Sequence, residues 1–169
     1  MSQHETLFAL MEFGVGLAGF AGVAFAVIHR GRLAAVERFR VTNILLFSLG
    51  AAFFAFVPVV LDETGQSADH TWRLTSALLV VFYLILRVSG PRRMRAFSDE
   101  DRSRISRPFM AFTKALFVLG VLVLHGNTVG WPFAPQSAPV LLALLSLLGI
   151  SAGNFVRLLS HSDRSGSAV

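Results

Sequence analysis

Residues 7–32 read LFALMEFGVGLAGFAGVAFAVIHRGR. From Leu7 to Ile28 the run is apolar except for Glu12, and basic residues follow at once: His29, Arg30 and Arg32. About 20 apolar residues cross the roughly 30 Å of hydrocarbon in a bilayer. This stretch therefore predicts a transmembrane helix with its C-terminal end on the basic, cytoplasmic side. The residues before it, Met1 to Glu5, carry no basic stretch of the kind that opens a signal peptide, so the run reads as a retained span.

Four more apolar runs lie downstream, at about 41–61, 72–89, 109–125 and 139–160. Charges sort between them by alternate sides. Of the 15 Lys+Arg, Arg73 falls on one side and Lys114 inside a run; the rest lie in or beside the first connection, the third connection and the C-terminal tail. Asp62, Glu63 and Asp69 collect on the side of Arg73. Cytoplasmic loops carry the excess of Lys and Arg. The expectation is an all-α, polytopic protein of a bacterial inner membrane with five transmembrane helices, N-out and C-in. Residues 1–161 read as one transmembrane domain, and 162–169 as a flexible tail of small polar residues.

Composition excludes several classes. Hydrophobic residues make up 54% of the 169 and charged residues 15%, too few charges for a soluble domain of this size. The net charge of +5 does not point to nucleic acid, because the arginines flank spans. The chain has no cysteine, which removes disulfides and thiolate chemistry. His4, His29, His70, His125 and His161 are scattered over both sides, so no metal site and no cofactor is expected. No enzyme motif is present, and the expectation is a protein without catalytic activity. Thr128-Val129-Gly130-Trp131 is similar over four residues to the start of a potassium-channel filter. Pro132 stands where that filter has its second glycine, and no pore helix precedes it, so the likeness is read as coincidence.

A few residues inside the spans stand out. Gly14, Ala18, Gly22 and Ala26 recur at a spacing of four, which predicts one small-residue face for close helix packing or self-association. Glu12 lies about 7 Å inside the outer boundary, at 1.5 Å per residue. An acid at that depth is a functional candidate by default. His125 ends the fourth span at the same outer level and is a possible proton partner for Glu12. Lys114 is the chain's lone lysine, about 7 Å inside the inner boundary. Glu12 and Lys114 are thus separated by about 15 Å along the membrane normal. Asn43 and Asn154 fall near the level of Lys114, with Arg87 and Arg157 close by, which makes the inner level basic and amide-rich. Pro58 is expected to bend the second span, and Trp72 to mark the outer interface. Ser98 followed by Asp99, Glu100 and Asp101 reads as a helix N-cap with acids in the first turn.

These features give a functional expectation in two forms. The first is a homo-oligomeric ion channel or pore, with Glu12 as an outer acidic ring and Lys114 and Asn154 shaping the inner end. The second is a non-conducting accessory or lipid-contacting scaffold in which the polar groups lock helices. The partners expected are the lipid bilayer, further copies of the chain and ions.

Overall fold

A computed structural model describes residues 3–28, 35–95, 97–103, 105–132 and 134–165. The described residues form α1 (Gln3–Ile28), α2 (Ala35–Glu63), α3 (Ala68–Met94), a short α4 (Asp99–Ser103), α5 (Arg107–Val129) and α6 (Ser137–Ser165). Five of these are long and apolar enough to cross a membrane. Helices of this kind suit lipid because each satisfies its own backbone hydrogen bonds. Each of the five runs beyond its apolar core at both ends or at one, as polar flanks continue the helix. α6 continues to Ser165; residues 166–169 of the expected tail lie outside the described residues.

α2, α3, α5 and α6 form a ring in that order, with α3 and α6 also touching across the middle. α1 lies outside the ring in the groove between α2 and α6. The chain turns tightly at the acidic end. Gly65 takes a left-handed φ of 74° just after α2, and Ser67 caps α3 by accepting from the His70 amide. His4 at the start of α1 meets Asp62 at the end of α2 at 3.2 Å. Gly130, also at φ 74°, ends α5. Thr128 and Val129 are therefore helical and not part of an extended filter.

The bundle has an apolar core studded with small polar residues, and an apolar exterior. Ser48, Thr75, Ser76 and Ser151 are fully buried, while Phe13, Phe20, Phe53, Leu122 and Val156 are exposed. Such an exterior would be a liability in water; in a bilayer it meets acyl chains. Helices in lipid associate through close backbone approach and hydrogen bonds. Ser151 on α6 accordingly donates to the Ile44 carbonyl of α2 at 3.0 Å, and Tyr83 on α3 donates to the Ala143 carbonyl of α6 at 2.8 Å.

Two expectations change. Trp72 does not mark the interface: it is 8% exposed and packs in the core. The small-residue stripe of α1 also splits. Gly14 and Ala18 are buried, but Gly22 and Ala26 are exposed, and Ala21 takes the inward position instead. The reason is helical geometry. Each residue turns about 100°, so a spacing of four gains about 40° per step and drifts about 120° between positions 14 and 26. A spacing of seven drifts only about 20°. Leu7, Gly14 and Ala21 keep that spacing, and all three are buried.

Candidate functional site: a basic cavity at one end of the bundle

α2 and α3 leave a tight turn at the acidic end, and near their other ends a cavity lies between them, α5 and α6. Its volume is about 130 Å³. Each ring helix contributes polar residues to the cavity lining. α2 supplies Arg40 and Asn43, α3 supplies Arg87 and Arg93, α5 supplies Thr113 and Lys114, and α6 supplies Asn154 and Arg157. No Asp or Glu is among the described lining residues. Apart from Ser89 and Ser106 the remaining walls are apolar, with Phe39, Phe109, Met94 and Met110 nearest the basic end of their helices.

Local contacts hold these groups in place. Arg40 is only 6% exposed and donates from Nη1 to the Arg157 carbonyl at 3.3 Å. The Arg157 guanidinium stacks over the Phe109 ring at 4.0 Å, a cation–π contact. Phe109 in turn seats against Gly153, where a Cβ would meet the ring at 2.8 Å. Asn154 is buried and uses Nδ2 on the Ile150 carbonyl one turn back, at 2.9 Å. Lys114, Arg87 and Arg93 are exposed and make no ion pair with any described acidic side chain.

Two features are left over once these contacts are counted. The Thr113 hydroxyl is buried and has no hydrogen-bond partner among the described residues. A buried hydroxyl without a partner costs about 1–3 kcal/mol. Ser106 stands at the N-cap of α5 beside the cavity and makes no side-chain cap hydrogen bond. A helix N-terminus presents free amides and a positive dipole end.

The cavity ends blindly. Phe47, Phe117 and Ile150 line its floor, and the Phe47 and Phe117 rings meet at 5.9 Å. Beneath them Leu79, Tyr83, Leu124, Leu144 and Leu147 are all at 0% exposure. Gly120 lets Tyr83 sit close: a Cβ there would meet the ring at 2.7 Å. Within one chain, no opening through this packing is found among the described residues.

The structure thus brings Asn43, Lys114 and Asn154 to one cavity. It does not bring Glu12 and His125 to it, or to each other. Glu12 is exposed on α1, outside the ring. His125 is exposed on α5 and lines a surface groove with Trp131 and Pro132 at the acidic end. Sequence reasoning missed Arg40, Arg93 and Thr113 as cavity residues. A signal existed for Arg40: Arg40–Asn43 and Asn154–Arg157 are both amide–arginine pairs at a spacing of three, which share a helix face. It also missed Asn127, buried at the other end. Its Nδ2 donates to Ser76 Oγ at 2.8 Å and to the Gln136 carbonyl at 3.0 Å, and its Oδ1 accepts from the Gln136 amide at 2.9 Å. That side chain joins α3, α5 and the connection to α6.

Comparison with known proteins returns no match to a family model, a curated protein or a solved structure.

Proposed function

We propose that this chain is a multi-pass membrane protein that holds an anionic amphiphile at the basic end of its bundle. It works by binding rather than by chemistry, as a lipid-contacting scaffold or accessory protein. The composition of the cavity carries this reading: Arg40, Arg87, Arg93, Lys114 and Arg157 against apolar walls, with no acid among the described lining residues. Cations on an apolar wall match a ligand with an anionic head and a hydrocarbon tail. Basic pockets between spans on the cytoplasmic side are where anionic headgroups dock. The basic end is read as cytoplasmic, in an N-out, C-in arrangement in the inner membrane of a bacterium, and no nucleic acid is a partner. The blind floor favours binding over conduction through one chain.

The test is thermal unfolding of the purified protein in nanodiscs of phosphatidylcholine alone or with phosphatidylglycerol. The anionic lipid is expected to raise the Tm, and a Lys114→Gln/Arg157→Gln variant to lose most of that rise. Equal Tm values in the two lipid mixtures overturn the reading.

A second reading is supported by one observation. Glu12, Gly16, Gly19 and Gly22 all lie on exposed positions of α1, and among the described residues no other helix or side chain lies within 4 Å of a Cβ built at any of the three glycines. A homo-oligomeric channel would place that face on the contact between copies, with Glu12 near the shared axis favouring cations. Cation flux into liposomes that falls in Glu12→Gln supports this reading, and absence of flux from the wild type removes it.

A further inference from the structure

We infer that the cavity takes a headgroup ending in a phosphate monoester or a diphosphate, carried on an apolar tail, in preference to a singly charged phosphodiester. This rests on the anionic-amphiphile reading above and names the ligand class of that same cavity. Charge is the first argument. Five cations line the site, and the one acid nearby among the described residues, Glu37, one turn before Arg40 on α2, offsets part of the charge of Arg40 alone. A phosphodiester brings one negative charge and leaves most of this field unmatched. A terminal phosphate carries about −1.5 to −2 at neutral pH.

Donor geometry is the second argument. A terminal phosphate offers three strong acceptor oxygens, and guanidinium groups bind them in pairs. The site answers with donors on separate elements: Arg40 from α2, Lys114 from α5 and Arg157 from α6. Arg40 is held almost fully out of water and Arg157 is fixed over Phe109, so both are pre-positioned and lose little freedom on binding.

The third argument is the Thr113 hydroxyl. It is a buried donor with no partner among the described residues, in the wall of a cationic cavity. An unmade hydrogen bond of this kind destabilises the empty protein. A phosphate oxygen accepting from Thr113 Oγ1 removes that cost. The uncapped N-terminus of α5, at Ser106, adds a positive dipole end on the same side. The apolar walls at Phe39, Met94 and Met110 give the first part of the tail its contact.

The experiment uses the full-length protein in phosphatidylcholine nanodiscs at fixed pH. Phosphatidic acid, phosphatidylglycerol, an alkyl diphosphate and inorganic pyrophosphate are each titrated, with binding read from the shift in Tm. Phosphatidic acid and the alkyl diphosphate are expected to bind at least about tenfold more tightly than phosphatidylglycerol, a difference of about 1.4 kcal/mol. Thr113→Val is expected to raise the Tm of the lipid-neutral protein while shrinking the shift given by phosphatidic acid. A purely structural Thr113 would not move those two readouts in opposite directions. Equal affinity for phosphatidic acid and phosphatidylglycerol overturns the monoester inference and leaves the anionic-amphiphile reading standing. Pyrophosphate binding as tightly as the alkyl diphosphate overturns the need for a tail, and with it both. No shift from any anionic lipid overturns the reading on which the inference rests.

Discussion

At Gly14 a Cβ would lie 2.6 Å from the Ser48 carbonyl oxygen and 3.2 Å from Ala52 Cβ, so α1 and α2 touch backbone to backbone there. At Gly22 a Cβ would meet nothing within 4 Å. Gly14→Leu is therefore expected to lower stability by about 1–3 kcal/mol or more, the usual cost of overpacking. Gly22→Leu is expected to stay within about 0.5 kcal/mol, as exposed substitutions do. Thermal unfolding in detergent checks both. Equal losses would mean that α1 is rotated from the position described. Asn127 gives a second test at this scale. Asn127→Leu removes three hydrogen bonds and strands the buried Ser76 hydroxyl and the Gln136 amide. With about 0.6 kcal/mol per interhelical bond in a membrane and about 1–3 kcal/mol for a stranded buried group, a loss of about 2–4 kcal/mol is expected. Asn127→Asp keeps the acceptor for the Gln136 amide and is expected to lose less, measured on the same unfolding scale.

Elements show which part of this was legible in the sequence. Depth along a span can be read, because each residue advances a fixed 1.5 Å. That is why Asn43, Lys114, Asn154, Arg87 and Arg157 could be set at one level, and why all five line one cavity. Rotation about the helix axis cannot be read as safely when the apolar pattern covers every face. Glu12 and His125 share a level and still sit on different sides of the bundle, and the four-spaced stripe of α1 drifts off its own face. Trp72 turned inward for the same reason: its depth was right for an interfacial anchor, and its azimuth was not. Short-range chemistry was plainer. Ser98 accepts from the Asp101 amide at 3.1 Å, and Asp101 Oδ2 accepts from the Ser98 amide at 3.2 Å, a reciprocal cap read from a serine and its acids. α4 is too short to be stable alone, and Phe97 holds it to the bundle by an edge-on contact with Phe39 at 5.5 Å. Phe97→Ala is expected to raise tryptic cleavage at the exposed Arg95 and Arg102 by about tenfold while moving the Tm little, since local opening costs less than global unfolding. Unchanged cleavage would show that α4 is held by other contacts.

For the whole molecule, the basic cavity and the orientation rule are linked. The positive-inside rule works on the residues that flank spans, and here Arg40, Arg87, Arg93 and Arg157 are both flanking charges and cavity walls. If the basic end is cytoplasmic and the proposed function holds, these side chains face the leaflet from which anionic lipid would be drawn, and the net charge of +5 needs no nucleic-acid partner. The chain contains no cysteine, so a single introduced thiol reports one position cleanly. Ser103 is exposed in α4 at the basic end, and its hydroxyl bonds to the Glu100 carbonyl of its own turn. Gln66 is exposed in the turn between α2 and α3 at the acidic end. In intact cells an impermeant maleimide is expected to label Gln66→Cys strongly and Ser103→Cys only after the membrane is opened. The reverse pattern would place the cavity on the outer leaflet. It would leave the five-helix bundle and its lipid chemistry in place, but would remove the cytoplasmic leaflet as the source of the ligand.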